Sequence, residues 1–298
     1  MTWGAAVDSY EAADQLGVFL DAGGTLIDTA PIYGDGACEE LLGSLIAKAG
    51  VRDDIVLAGK AGFIRRGGAV VKDGSRGTLL NQLDLSLRQL GTDHLDLWQI
   101  HTPDLTVPLE ETLGALEHAV RSGRTRYVGI SNFTGWQTGI AHTWLAERGI
   151  PLISTQVEYS LINRDPEAEV VPATAHLGMG LFAWSPLGRG VLSGKYREGI
   201  PTDSRAATPG WEAFVGEHLT PAKASVVEAL ARASEGLGVT IAHVALAWLV
   251  ERPQISAAIV GARTTSQLQE NLASEDLVLP TEIIQALDDV SDAARSTR

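Results

Sequence analysis

The sequence predicts an α/β fold of the (β/α)8 TIM-barrel class on three observations. Short β-branched runs alternate with longer amphipathic segments from end to end. A polar residue or glycine stands at the carboxyl end of every run, and 298 residues suit a single barrel. The runs at 25–27, 55–58, 95–100, 126–130, 152–155, 180–183 and 257–260 are nearly continuous in apolar residues, as parallel strands buried on both faces are.

The segments between them read as helices. A first helix is expected over 9–22. Segment 39–49 lines up Leu41, Leu42, Leu45 and Ile46 on one stripe. Segment 79–90 does so with Leu80, Leu83, Leu87 and Leu90, and Gly91 stops it. Segment 108–121 opens on Pro108 and closes at Ser122-Gly123, the usual asymmetry of helix ends. This alternation implies a parallel sheet with right-handed crossovers. No composition shift or low-complexity linker interrupts it, so residues 1–298 are expected to form one domain.

Seven strands are visible where a barrel needs eight. The eighth would have to fall before the helix at 9–22, where only Met1-Thr2-Trp3-Gly4 stands. A clipped first strand and an open doubly wound sheet both account for this, and the strand ends decide between them. Asp28, Lys60 and His101 follow or end the first three runs, and Ser131-Asn132, Gln156, Ser185 and Gly261 the other four. Polar groups on one rim are the mark of a barrel enzyme. An open sheet would gather them at a single switch point, and no glycine-rich dinucleotide turn follows an early strand.

Composition excludes several classes. The net charge of −14 disfavours nucleic acid and anionic membranes as partners. The longest apolar runs are too short to span a bilayer, and no secretion signal opens the chain. Cys38 is the only cysteine, so no internal disulfide can form and a reducing cytoplasm is the expected location. The histidines are scattered without ligand spacing, so no metal site is expected.

Asp28, Tyr33, Lys60 and His101 together suit carbonyl reduction. The oxygen that becomes alkoxide needs a proton donor, and a phenol is a poor one unless a neighbouring cation stabilises its phenolate. Lys60 can supply that cation if Asp28 keeps it charged when buried. His101 can hydrogen-bond the substrate oxygen. Singly, each has a plain structural account, such as a turn cap for Asp28. Four suitable types at successive rim positions make coincidence a poor explanation.

The stretch Asp28-Thr29-Ala30-Pro31-Ile32-Tyr33-Gly34, continuing to Glu39, resembles the signature of the aldo-keto reductase superfamily. So do Leu95-Asp96-Leu97-Trp98-Gln99-Ile100-His101 and Gly129-Ile130-Ser131-Asn132-Phe133, and the resemblance covers essentially the whole chain. It implies an NADP(H)-dependent oxidoreductase acting on a small carbonyl substrate. Tyr33 would be the general acid, tuned by Lys60 and Asp28, with His101 placing the carbonyl. Ser131, Asn132 and Gln156 would hold the nicotinamide amide, with Trp184 stacked on its ring. The loop Ser185-Pro186-Leu187-Gly188-Arg189-Gly190 would cover the pyrophosphate, its small residues letting backbone N–H groups approach, with Lys195 adding charge. Gly261, Arg263, Gln267, Glu270 and Asn271 would take the adenosine and its 2′-phosphate at a helix N-terminus, with Arg263 as the cation. Gln267 stands where many relatives carry a second basic residue, which weakens the implied selectivity for NADPH over NADH.

Relatives normally begin with a hairpin plugging the barrel floor and a full first strand. The resemblance therefore implies that the hairpin and most of that strand are missing, with Met1-Thr2-Trp3-Gly4 keeping the rim. The substrate pocket is expected to be lined by Trp3, Tyr33, Phe63, Trp98 and part of the loop 192–219, with Trp211 and Phe214 closing over it. Aromatic walls suit aldehydes, ketones, sugars and quinones alike. Two other functions compete with reduction: an NADP(H)-binding regulatory subunit and a catalytically silent truncated barrel.

Overall fold

Asp8 caps the first helix, α1 (Ser9–Asp21), accepting from the backbone N–H groups of Tyr10 and Glu11 at 3.0 and 2.9 Å in the computed structural model. The structure describes residues 2–4 and 6–295. Met1, where the expected rim segment begins, lies outside them. After α1 the chain alternates β1 (Leu26–Asp28), α2 (Ala37–Ala49) and β2 (Val56–Ala61). A hairpin, β3 (Phe63–Arg66) and β4 (Ala69–Lys72), precedes α3 (Arg76–Leu90) and β5 (Leu95–Ile100). Then come α4 (Leu109–Arg121), β6 (Thr125–Ser131), α5 (Gly135–Ala146) and β7 (Leu152–Glu158). Next are α6 (Val170–Leu177), β8 (Gly180–Trp184), α7 (Glu212–Gly216), α8 (Pro221–Leu237) and α9 (Ile241–Val250). The chain ends with β9 (Ile255–Ile259), α10 (Thr265–Leu272) and α11 (Thr281–Arg295).

Among the described residues the main sheet has seven strands in the order β1-β2-β5-β6-β7-β8-β9. The neighbours from β1 to β7 pair parallel, in registers such as Lys60 opposite Gln99 and Ser131 opposite Gln156. This is the (β/α)8 class without a full eighth strand. Among the described residues before α1, Trp3 and Val7 form an isolated bridge.

The residues cluster into two units. The first is Met1–Gln156, Glu169–Leu181 and Gly261–Gln269. Its helices α2 to α6 each pack on the next. Its core runs through Leu57, Leu95, Trp98, Leu113, Leu116 and Ile130, each buried to 0% exposure. The second is Val157–Ala168, Phe182–Val260 and Glu270–Arg298, in which α8 packs on α9 and α11 around buried Leu230, Leu246 and Trp248.

Helix ends follow the sequence signals. Gly91 takes the left-handed conformation after α3, and Gly238 does so after α8, which starts with a Thr220 cap and Pro221. Thr134 and Gln137 close a capping box on α5. Two strands run further than their apolar patterns. β2 continues through Lys60 to Ala61, and β7 through Gln156 to Glu158. Hydrogen-bonded polar side chains interrupt the pattern without interrupting the ladder. The β3–β4 hairpin is unanticipated by the apolar pattern. Gly67 and Gly68, both at positive φ, make its turn.

Candidate active site

Tyr33 stands where the chain leaves β1 through a tight turn. Gly34 and Asp35 are left-handed at φ 59° and 53°, and Gly36 at φ 99° starts α2. That positive φ favours glycine at position 36, where a Cβ would also displace the Gln89 carboxamide of α3.

The four predicted catalytic residues come together in the first unit. Lys60 Nζ forms a short ion pair with Asp28 Oδ2 and also donates to the Thr29 carbonyl at 3.3 Å and to Tyr33 Oη at 3.4 Å. Lys60 is only 1% exposed. Burial works to discharge it, but the attraction of Asp28 wins and its pKa rises. The Tyr33 and His101 rings meet edge to face at 5.8 Å, and the Phe63 ring meets His101 in the same way at 4.8 Å. Burial, reinforced by the Lys60 charge, holds the His101 imidazole well below its usual 6.5, so the ring is neutral. The phenol departs from the sequence expectation. Burial pushes Tyr33 above its ordinary 10, and the opposing pull of Lys60 does not overcome it.

Gln99 completes the arrangement and was missed in the sequence, where it is one polar residue within an apolar strand run. Its Nε2 donates to Asp28 Oδ1 at 3.4 Å, beside Gln156 Nε2 at 3.0 Å. Gln156 therefore orients Asp28. Asn132, left-handed at φ 61°, donates from Nδ2 to the His101 carbonyl at 3.0 Å and to Ser131 Oγ at 3.1 Å. Trp98 departs from the expected pocket wall, because its side chain lies in the core against the helices. Trp3 donates its indole N–H to Gln15 Oε1 at 2.8 Å, which ties it to α1. Glu39, on the first turn of α2, is fully buried. Its Oε1 accepts from Ser86 Oγ at 3.2 Å and its Oε2 has no partner. Burial raises its pKa to about 7 against the opposing effects of Ser86 and Lys60.

After β9, Gly261–Gln269 also lies in the first unit. The Gln267 carboxamide oxygen accepts from the Arg263 N–H at 3.0 Å, and Gln267 N–H donates to Thr264 Oγ1 at 3.2 Å. Gly261 and Arg263 are exposed, while Glu270 and Asn271 sit half-buried on α10 within the second unit.

In the second unit, half-buried Trp184 ends β8 and a loop with successive positive φ values follows. Ser185 is at 50°, Gly188 at 54°, Arg189 at 58° and Gly190 at 94°. Within this loop the Gly188 N–H donates to the Ser185 carbonyl at 2.8 Å and the Gly190 N–H to the Leu187 carbonyl at 3.0 Å. A Cβ on Gly190 would lie 3.0 Å from Lys195 Nζ, so the lysine ammonium crowds this turn, and a Cβ on Gly188 would strike Ile162 at 2.3 Å. Leu187 immediately precedes the left-handed run 188–190 and is half-buried. Arg189 pairs with Glu158 through both carboxylate oxygens at 2.8 and 2.6 Å, and its guanidinium lies 3.8 Å from the Phe214 ring centroid. His218 joins Glu158 at 2.9 Å and Lys223 at 2.6 Å. Glu158, Asn163, Arg189, Glu217, His218 and Lys223 border a cavity of about 830 Å³. Sequence reasoning missed this network, for which the charged residue ending β7 is the visible signal. Trp211 and Phe214 contact each other edge to face at 5.4 Å.

Asp28 and Lys60 at strand ends, His101 directly after β5 and Tyr33 in the turn after β1 are thus gathered on a (β/α)8-class sheet. The chain matches the Aldo/keto reductase family over residues 1–292 and belongs to that family. It is 36% identical to an L-glyceraldehyde 3-phosphate reductase of Escherichia coli O157:H7, covering 90% of this chain and 80% of the relative. It is 34% identical to a probable voltage-gated potassium channel subunit beta of Arabidopsis thaliana, covering 93% and 86%. It is 31% identical to the aldo-keto reductase YhdN of Bacillus subtilis, covering 90% and 79%.

Proposed function

We propose that the chain reduces aldehydes or ketones to alcohols with NADPH, Tyr33 being the general acid. The observation that carries this is the phenol hydroxyl 3.4 Å from a buried Lys60 that Asp28 keeps charged, next to a neutral His101. When bound, NADPH supplies two electrons as hydride to the carbonyl carbon and leaves as NADP+.

The residues suit such a cofactor on two counts. The left-handed loop at 185–190 has the Lys195 ammonium beside Gly190, a cation suited to a diphosphate. Ser131, Asn132 and Gln156 carry polar side chains at the carboxyl ends of adjacent strands β6 and β7. In the resemblance the nicotinamide amide goes to these three, the ring face to Trp184, and the adenosine 2′-phosphate to the segment 261–271 with Arg263.

The chain's own part is proton delivery. As the carbonyl π pair moves onto oxygen, Tyr33 gives that oxygen its proton, and the alkoxide is a stronger base than any phenolate. The raised phenol pKa keeps Tyr33 protonated throughout the neutral range. Lys60 stabilises the phenolate left behind, and Asp28, fixed by Gln99 and Gln156, holds Lys60 charged. Neutral His101 can donate from its ring N–H to the same oxygen, fixing the carbonyl's direction.

The test is aldehyde-dependent loss of reduced-nicotinamide absorbance. Tyr33→Phe should lose about a hundredfold to ten-thousandfold in turnover while still binding cofactor. Undiminished turnover in that variant removes Tyr33 from the mechanism. A second reading, an NADP(H)-binding regulatory protein, draws on the likeness to a potassium channel subunit beta. It predicts cofactor binding without turnover across the aldehyde and ketone panel.

A further inference from the structure

Glu11 is a carboxylate of α1 whose position matters to α10. Its Oε1 accepts from the Thr265 backbone N–H in a short hydrogen bond and from Thr265 Oγ1 at 2.6 Å. Thr265 is the first residue of α10, so the carboxylate is seated on the positive end of that helix. The seat is built rather than casual. Gln15 donates from Nε2 to the same Glu11 oxygen at 3.3 Å, and Gln15, only 3% exposed, is itself held by the Trp3 indole at 2.8 Å. Hydrogen bonds from Thr265 and Gln15 lower the Glu11 pKa, so the group is ionised at neutral pH. Two further backbone donors of this turn are also committed within the chain. Arg263 N–H goes to Gln267 Oε1 at 3.0 Å and Gln267 N–H to Thr264 Oγ1 at 3.2 Å.

A phosphate arriving at this turn has to share or take donors that a carboxylate already holds, against a like charge. We infer that Glu11 is a specificity-determining residue that holds down the preference for a 2′-phosphorylated nucleotide. The chain's own carboxylate occupies the anion position at the start of α10, and Arg263 and Glu11 act there with opposite sign. A nucleotide with a free 2′-hydroxyl carries no charge for Glu11 to repel. The inference rests on the reading that the segment 261–271 receives the adenosine end of the cofactor. It gives that segment an acidic component supplied by α1, which lies 254 residues away in sequence.

Binding measured without turnover tests it. Dissociation constants for NADPH, NADH and adenosine 2′,5′-bisphosphate would be determined by equilibrium dialysis on the intact chain, for wild type, Glu11→Gln and Glu11→Lys. Circular dichroism would verify the fold of each variant. Glu11→Gln should tighten NADPH and the bisphosphate about fivefold and change NADH less than about twofold, since one half-buried charge at a helix end is removed. Glu11→Lys should tighten the two phosphorylated ligands further, a graded response to charge that a purely structural role does not produce. Parallel changes in NADPH and NADH, or no change in either, overturn the inference while leaving the proposed cofactor in place. Absence of binding by any of the three ligands to wild type and variants removes the cofactor reading and the inference with it.

Discussion

The buried Glu39 carboxyl makes the stability of this protein depend on pH in a direction opposite to that of a salt-bridged acid. Its side chain is fully buried, one oxygen has no partner, and burial lifts its pKa from 4.5 to about 7. A raised acid pKa means that the native state holds the proton more tightly than the unfolded chain does. The stability this contributes is fully present below pH 4.5 and is lost as pH rises through about 7. A shift of this size corresponds to about 3 kcal/mol, at 1.36 kcal/mol for each pH unit. Glu39→Gln keeps the shape and removes the titration. Urea unfolding at a series of pH values would compare the two proteins. The stability of the Gln variant relative to wild type should climb by about 3 kcal/mol between pH 4.5 and pH 7 and then level off. A difference independent of pH, or one growing toward acid, would refute the reasoning. The first would mean that Glu39 does not change protonation in the native state, and the second that it is ionised and paired there.

Further predictions follow from the same accounting of buried charge. The reductase rate should show no acidic limb with a midpoint near 6.5, because burial and Lys60 keep His101 neutral there. A limb at that pH that disappears in His101→Asn would show that a cationic imidazole takes part. Arg189→Ala should destabilise by about 3–5 kcal/mol in urea unfolding, since it strands Glu158 without its bidentate partner. A loss below about 1 kcal/mol would mean that His218 and Lys223 suffice to neutralise that carboxylate.

The legible part of the site consists of residues that break an apolar run at its end. Asp28, Lys60, His101, Ser131 and Gln156 all do so, and they lie on, or in the case of His101 directly after, adjacent parallel strands as the alternation implies. Residues within a run are judged by parity instead. Side chains alternate faces along a strand, so Gln99 points with Leu97 and Leu95, and Trp98 points the other way. The register pairs Gln99 with Lys60 and Trp98 with Gly59. That single alternation explains both the overlooked glutamine, which reaches Asp28, and the tryptophan wrongly given to the pocket, which packs in the core with Leu113 and Leu116. Glu39 escaped because an acid in the first turn of an amphipathic helix reads as a favourable surface charge. Only the packing of α2 on α3 buries it against Ser86.

The part proposed for Glu11 in nucleotide preference was still less accessible, for a reason that parity cannot mend. Local pattern assigns Glu11 to the solvated side of α1 and Thr265 to the start of an unrelated helix. Their pairing depends on the fold returning the segment after β9 to the first unit beside α1. Strand-end chemistry is encoded within a few residues and can be read locally. Selectivity at the far end of a cofactor is encoded in which distant helix the fold sets beside it. The proposed acid–base groups and the carboxylate proposed to tune the nucleotide thus sit in one compact unit, yet only the former announce themselves in the sequence.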